Sequence, residues 1–187
     1  MEKLLSHFLG KGIPEAEAAQ IVAAFKVKKF AKGEHFIEEG RTSKHLAFIN
    51  EGIFQYYHLR DGKEVTTYVT GEKTFLASIA SFFSQKPSKE YVRALADSEV
   101  LQVSYTELAK LKTENQAFRS FYISALENLA IGIDESKTNL IMLTADERYA
   151  ELLKNEPKLL QQIPLQYLAS ILGITPRHLS RIRNNIS

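Results

Sequence analysis

Residues 163–182 have the sequence IPLQYLASILGITPRHLSRI, and the spacing of its apolar residues predicts two short helices. Gly173 lies between them, where glycine adopts a left-handed backbone at little cost. Thr175 can cap the second helix, and Pro176 can take its first position, where a missing N–H costs nothing. The pattern is typical of a helix-turn-helix.

The second of these helices is amphipathic. Leu179 and Ile182 lie three residues apart and are expected to face the core. The opposite face then carries polar and basic side chains: Arg177, His178, Ser180, Arg181 and Asn184. Since arginine can bond the O6 and N7 atoms of guanine with two donors, this face suits the DNA major groove. An ordinary helical hairpin with a solvated face is the alternative.

The charge distribution favours a polyanion near the C-terminal end of the sequence. The net charge is only +2, but the last acidic residue is Glu156. Four basic residues follow it: Lys158, Arg177, Arg181 and Arg183. A local cationic surface indicates a local anionic partner, although a solvated basic tail fits the charge alone equally well.

A long helix is predicted between residues 115 and 143. Asn115 can cap it, and apolar residues recur at spacings near three and four: Phe118, Tyr122, Ala125, Leu129, Ile133 and Leu140. Such a helix must bury its apolar stripe, and a second copy of itself is a good partner. Packing along its own domain is the alternative.

A new helix is predicted to begin at Thr144, because Thr144 and Glu147 form a capping-box pattern. The junction between Leu143 and Thr144 is therefore the expected hinge between domains.

Short β-type runs dominate residues 25–104, after a helical pair in residues 1–25. The runs are 25–30, 35–37, 46–50, 53–60, 63–70, 91–95 and 100–104, and a short helix over 77–83 interrupts them. Asp61-Gly62 predicts a type I′ hairpin turn between two of them. This spacing predicts a sandwich, a barrel or a jelly roll.

Taken together, these segments resemble the CRP/FNR family of bacterial regulators over nearly the whole chain. The matching stretches are Phe30–Glu34 with Phe36 and Gly40, Phe48–Gly52, Asp61–Glu64, Ala94–Val100, Arg148–Tyr149, and Leu168–Arg183. The resemblance implies an α+β architecture. Its parts are a cyclic-nucleotide-binding-type jelly roll with N-terminal helices (1–114), a dimerisation helix (115–143) and a helix-turn-helix domain (144–187). The family pattern also includes a C-terminal wing, which is not expected within this sequence.

The resemblance also implies DNA-contacting residues. Arg177, His178 and Arg181 fall where family members contact bases. Contacts to the DNA backbone are expected from Thr175, Ser180, Arg183, Asn184 and Gln166. The dimer helix is expected to pair through Tyr122, Ala125, Leu129, Ile133 and Leu140.

The expected effector pocket departs from the family pattern. Cyclic-nucleotide binders of this fold carry a Phe-Gly-Glu segment for the ribose and an Arg-Ser or Arg-Thr pair for the phosphate. Here Leu76 and Ala77 follow Phe75, and Ser88 and Lys89 follow Pro87. A lysine lacks the forked geometry of arginine. The candidate pocket residues are Phe75, Ala77, Ser78, Ser88, Lys89 and Tyr91. We expect no tight binding of cAMP or cGMP; another effector, or none, remains open.

Other function classes are disfavoured. The sequence has no cysteine, and His35, His45 and His58 lie on different segments without a His-x-His pair, so neither a metalloenzyme nor a cofactor is expected. No apolar run reaches the roughly 18 residues of a membrane span, and the first ten residues do not resemble a secretory signal. We expect a cytoplasmic protein whose partners are DNA, a second copy and RNA polymerase. A sensing or protein-binding module that never contacts DNA is the alternative.

Overall fold

The computed structural model describes residues 1–186, with the side chains of all of these except those at positions 158, 185 and 186. The helices are α1 (Glu2–Gly10), α2 (Glu15–Ala23), α3 (Ile79–Ser84), α4 (Tyr105–Glu114), α5 (Gln116–Met142), α6 (Ala145–Asn155), α7 (Pro157–Gln162), α8 (Leu165–Ile171) and α9 (Pro176–Ile186). The strands are β1 (Lys26–Phe30), β2 (His35–Ile37), β3 (His45–Glu51), β4 (Phe54–Arg60), β5 (Lys63–Thr70), β6 (Phe75–Leu76), β7 (Tyr91–Ala94) and β8 (Ser98–Ser104).

The strands form two four-stranded antiparallel sheets, in the orders β1-β8-β3-β6 and β2-β7-β4-β5. Side chains alternate across each strand, so in β3 Ala47 and Ile49 lie in the core between the sheets while Phe48 lies on the outer face. Phe54 and Val92 meet them from the second sheet. The predicted jelly-roll-like architecture with a long helix is confirmed.

The hairpin between β4 and β5 has the turn that the sequence predicts. Arg60 pairs with Lys63, and Asp61 and Gly62 occupy the two turn positions with φ of 52° and 72°. Positive φ at both positions defines a type I′ turn, which matches the right-handed twist of the flanking strands.

The outer face of the first sheet is covered by helices. Phe8 of α1, Ile21 of α2 and Phe118 of α5 pack against Phe48 and its neighbours. The predicted cap of the long helix is present, because the Asn115 side chain accepts a hydrogen bond from the Phe118 amide at 2.7 Å. The helix runs for 27 residues, about 40 Å at 1.5 Å per residue.

Helices α6–α9 form a second core that extends onto the second sheet. Leu168, Leu172 and Leu179 pack together with Ile53 and Val69 of the β region. The predicted capping box at Thr144 and Glu147 begins α6. Among the described helices none is both long and apolar enough to span a membrane.

Candidate nucleic-acid interface and effector pocket

The turn between α8 and α9 is closed by its own backbone. Gly173 has a φ of +69°, the left-handed region, and its amide donates to the Ser170 carbonyl at 3.0 Å. The Ile174 amide donates to the Ala169 carbonyl at 2.9 Å. Ala169 is fully buried, and its small side chain leaves room for the two helices to approach each other. The chain therefore reverses direction at the glycine that the sequence singles out.

The start of α9 is capped as predicted. The Thr175 hydroxyl accepts a hydrogen bond from the His178 amide at 3.2 Å, and Pro176 is the first helical residue. Leu179 and Ile182 are 0% and 3% exposed, so they fix which face of α9 meets the core. This packing therefore also determines which side chains of α9 face the solvent.

That opposite face is polar and basic. Arg177, His178, Arg181 and Asn184 are exposed. Within the described part of the chain, neither Arg177 nor Arg181 forms an ion pair. The structure thus brings together the three side chains predicted to contact bases, on one solvent-facing surface.

The five residues predicted to contact the DNA backbone divide into two groups. Thr175, Gln166 and Asn184 are exposed. Ser180 is half-buried, and its hydroxyl donates to the Pro176 carbonyl at 3.0 Å. Arg183 is also half-buried, with its guanidinium 5.9 Å from the centre of the Tyr149 ring. The last two side chains are therefore already engaged within the domain.

The second candidate site surrounds the start of α3. Ser78 is buried there, and its hydroxyl lies 3.0 Å from the Ser88 hydroxyl and donates to a Glu90 carboxylate oxygen at 2.8 Å. The Ser88 hydroxyl also donates to the Glu90 carbonyl at 2.8 Å. Next to this group the Tyr56 hydroxyl donates to the Ala77 carbonyl at 3.2 Å, and burial raises its pKa. We name Tyr56, Ser78, Ser88 and Glu90 the inner polar cluster.

Only part of the predicted pocket joins the inner polar cluster. Ser78 and Ser88 belong to it, and the Ala77 carbonyl accepts the hydrogen bond from Tyr56, whereas Phe75 packs against Phe48 and Phe121 on the helical side. Lys89 is exposed. Tyr91 stacks on Tyr57 with 4.9 Å between ring centres. Its neighbour Val92 lies in the core, so strand alternation places Tyr91 on the outer face of the sheet.

The helix surface predicted for dimerisation also has two parts. Tyr122, Ala125 and Leu129 are half-buried, because the first half of α5 packs beside its own β domain. Ile133 and Leu140 are 56% and 62% exposed. Every residue from 130 to 142 is exposed.

His35, His45 and His58, the three histidines considered as metal ligands, have structural roles in the β strands. His35 Nε2 lies 2.8 Å from the Tyr57 hydroxyl, and His58 Nδ1 lies 2.8 Å from the Lys89 carbonyl oxygen. Desolvation lowers the pKa of His45. Among residues 1–186, no group of three or more His, Asp or Glu side chains is arranged to hold a metal ion.

Comparison with known proteins agrees with this architecture. Residues 27–115 match the family described as the cyclic nucleotide-binding domain. No curated protein matches the sequence.

Solved structures extend the likeness beyond the cyclic nucleotide-binding domain. The global regulator CLP of Xanthomonas campestris has a TM-score of 0.68 at 15% identity, covering 92% of this chain and 91% of its own. The catabolite activator protein of Thermus thermophilus has a TM-score of 0.61 at 19% identity, covering 96% and 86%. A putative CRP/FNR-family regulator of Eubacterium rectale has a TM-score of 0.66 at 15% identity, covering 95% and 85%. The resemblance to the CRP/FNR family is confirmed.

The inner polar cluster contains one carboxylate, that of Glu90. The Glu90 carboxylate accepts a hydrogen bond from the hydroxyl of Ser78, the N-cap residue of α3. A cyclic phosphate placed there would meet a like charge. Arg93, the nearest arginine in the sequence, is held by Glu64 at 2.7 Å and Gln55 at 2.8 Å. Within the described residues, the side-chain hydrogen bonds of Ser78 and Ser88 are made to each other and to Glu90.

Sequence reasoning missed Glu90 and Tyr56. Glu90 follows two polar residues in a turn, and no periodic pattern indicates that its carboxylate points inward. Tyr56 belongs to a run of aromatic strand residues, and only the strand register shows that its hydroxyl reaches Ala77.

Proposed function

We propose that this protein is a DNA-binding transcription regulator that works in the cytoplasm as a homodimer and reads an inverted-repeat operator. The observation that carries the proposal is the outer face of α9. Arg177, His178 and Arg181 are exposed there, on a helix whose other face is fixed by buried Leu179 and Ile182. A rigid helix with outward arginines is suited to reading base edges in the major groove.

The surroundings of this face support DNA as the partner. Arg177 and Arg181 are four residues apart and so lie on the same side of the helix. No acidic residue follows Glu156 in the sequence, so no nearby carboxylate on α8 or α9 opposes them. Thr175, which caps α9, and exposed Gln166 of α8 carry polar side chains that can bond phosphate oxygens. In this arrangement α8 and α9 act as a helix-turn-helix.

The long helix supplies the second part of the proposal. Residues 130–142 are all exposed, and an isolated helix of that length is marginal in water. Residues spaced alternately by three and four form one seam: Tyr122, Leu126, Leu129, Ile133, Ser136, Leu140 and Leu143. Such a heptad spacing, with Ile133 and Leu129 at successive core positions, favours a two-stranded coil. A second copy of α5 is the partner that this seam fits.

A dimer built on α5 presents two copies of α9. Two recognition helices related by a two-fold axis read half-sites about 34 Å apart, one turn of DNA. CLP is described as a global regulator, and the Thermus protein as a catabolite activator. By analogy this chain regulates transcription, with RNA polymerase as a further partner. Within this proposal, residues 1–114 are the sensor domain, 115–143 the dimerisation helix and 144–187 the DNA-binding domain.

Selection of bound sequences from random DNA tests the proposal. We expect an enriched inverted repeat with half-site centres about 10 base pairs apart. A variant carrying Arg177→Ala and Arg181→Ala serves as the loss-of-function comparison, and Lys110→Ala, an exposed change on α4, is the matched control. Absence of any enriched motif from the unmodified protein would favour a sensing or protein-binding module without DNA contact.

A further inference from the structure

A single arginine joins the end of the long helix to the turn before α9. The Arg148 guanidinium donates through Nη1 to the Leu143 carbonyl at 2.6 Å and through Nη2 to the Leu172 carbonyl at 2.7 Å. Leu143 is the C-cap residue of α5, and Leu172 is the C-cap residue of α8, just before Gly173. We propose that Arg148 is a positioning residue that sets the direction of α9 relative to α5.

The two acceptors explain why arginine stands at this position. Carbonyls at helix ends have no partner within their own helix, so they are available to side-chain donors. Arginine presents donors in a rigid planar fork and stays charged at every relevant pH. A lysine ammonium is a single point on a flexible stem and would reach one carbonyl at a time. Only the fork holds both helix ends in one geometry.

Stability alone does not account for Arg148. Its Nε atom is buried and has no hydrogen-bond partner within the described residues. The partners of Nη1 and Nη2 are neutral carbonyls rather than a carboxylate. An unsatisfied buried donor destabilises a fold, so an arginine kept under these conditions is better explained by the geometry that it imposes.

The contact lies where geometry matters most for the proposed function, on which this inference rests. The predicted hinge falls between Leu143 and Thr144, and Arg148 spans it from the first turns of α6. The same guanidinium holds the α8–α9 turn, so α9 cannot tilt against α5 without breaking one of the two bonds. In the proposed dimer, the two α5 helices lie along the common axis. The tilt of α9 relative to α5 then determines which spacing between DNA half-sites the dimer can bind.

A distance measurement without DNA tests the inference directly. The sequence has no cysteine, so Asn128→Cys on α5 and His178→Cys on α9 accept spin labels selectively. The labelled chain is diluted with excess unlabelled chain, and pulsed electron resonance then reports the distance within one chain. We expect a single narrow distance peak in the parent protein, and loss of that narrow peak with Arg148→Gln.

Two further variants keep the test decisive. Arg148→Lys retains the charge, and its distance peak is expected to have an intermediate width. Circular dichroism shows whether Arg148→Gln folds. If it does not fold, Arg148→Lys decides the question. Arg119→Gln, an exposed arginine on α5, is the matched control and should leave the narrow peak unchanged. An unchanged peak in both Arg148 variants overturns the inference, whatever the protein binds.

DNA provides a second readout that a purely structural role would not move. On the selected operator, the parent protein should lose affinity when one base pair is added between the half-sites. The affinity of the Arg148→Lys variant should fall less on this insertion, while its affinity for a single half-site stays the same. Equal losses on single and paired half-sites would indicate a folding defect and overturn the positioning role. If the parent protein binds no DNA, the proposed function fails, while the distance measurement still tests Arg148.

Discussion

On α9 the buried Leu179 and Ile182 determine which side chains meet solvent, and Arg181 lies between them in the sequence on the outward side. Its guanidinium forms no ion pair within the described residues, so its donors are available to a base. The helix beneath it is rigid because its core face is fully packed. In the proposed complex with DNA, Arg181 is therefore preorganised for a contact in the groove.

The first prediction concerns this residue. Arg181→Ala should weaken binding to the selected operator by about 1 to 3 kcal/mol and relax base preference at one position of each half-site. Fluorescence anisotropy with the operator and its single-base variants measures both effects. Arg119→Ala, an exposed change on α5, is the control. An equal loss on every sequence would show instead that Arg181 contacts phosphate.

The second prediction concerns the inner polar cluster. Because Glu90 places a carboxylate beside the start of α3, cAMP and cGMP should show no tight binding in calorimetry. A dissociation constant of about 1 μM or below for either ligand would contradict the account.

Residue-level prediction from sequence succeeded where a helix has one buried face. The α9 pattern placed Arg177, His178 and Arg181 correctly on the outside, because two apolar residues define the helix orientation. It did less well in the pocket, where Tyr91 and Val92 exchange faces if the strand register shifts by one residue. The inward direction of Glu90 depends on a turn that no periodicity reveals.

At the scale of elements, the start of α6 depends on a capping box. The Glu147 carboxylate accepts hydrogen bonds from the Thr144 amide and hydroxyl, both at 2.8 Å. The hydrogen bond from the Thr144 amide lowers the pKa of Glu147 most, and the hydrogen bond from the Thr144 hydroxyl adds to it. Together they hold this pKa below its usual value of 4.5. A depressed folded-state pKa contributes stability above the unfolded-state value, and that stability is lost as the pH falls through the folded-state value.

The third prediction follows from the direction of this pH dependence. Glu147→Ala should melt at a lower temperature than the parent protein at pH 7, and the gap should narrow as the pH falls below about 4.5. Thermal melts followed by circular dichroism across this range measure the gap. Glu151→Ala, an exposed change further along α6, should show no such narrowing. A gap that stays constant down to the acid limit would contradict the capping role.

The fourth prediction concerns α5, where two isoleucines form a matched pair. Ile131 and Ile133 are both 56% exposed, but only Ile133 lies on the seam. Ile133→Asp should convert the dimer to monomer, because a buried carboxylate in a coil interface is strongly unfavourable. Ile131→Asp should leave the mass unchanged. Light scattering measures the mass of both variants and of the parent protein. A monomeric parent protein would contradict the proposed dimer.

Most elements were predictable because their signals are local. The Asn115 cap, the Thr144 capping box and the Asp61-Gly62 turn each depend on residues within four positions. The predicted Asn115 cap also marks the break between α4 and α5, because Asn115 adopts an extended backbone there. Strand β6 was missed, since it has only two residues.

At the scale of the whole molecule, the C-terminal helices dock on the second sheet. The Ser170 hydroxyl donates to the Thr66 carbonyl at 3.0 Å, and these residues are 104 positions apart. Ile53 and Val69 share a core with Leu168. Sequence patterns predict faces but not which distant faces meet, so this contact could not be foreseen. It places the β4–β5 hairpin region directly against the helices that carry the exposed basic face.

The central claim is that the exposed basic face of α9 binds the DNA backbone and bases, and the salt dependence of affinity for the selected operator tests it most directly. Between about 50 and 200 mM salt, the logarithm of the association constant should fall linearly, with a slope of about −0.9 for each phosphate neutralised. Replacing Arg177 and Arg181 together by alanine should make this slope shallower. Affinity that does not change with salt, or that is unaffected by the double replacement, would contradict the account.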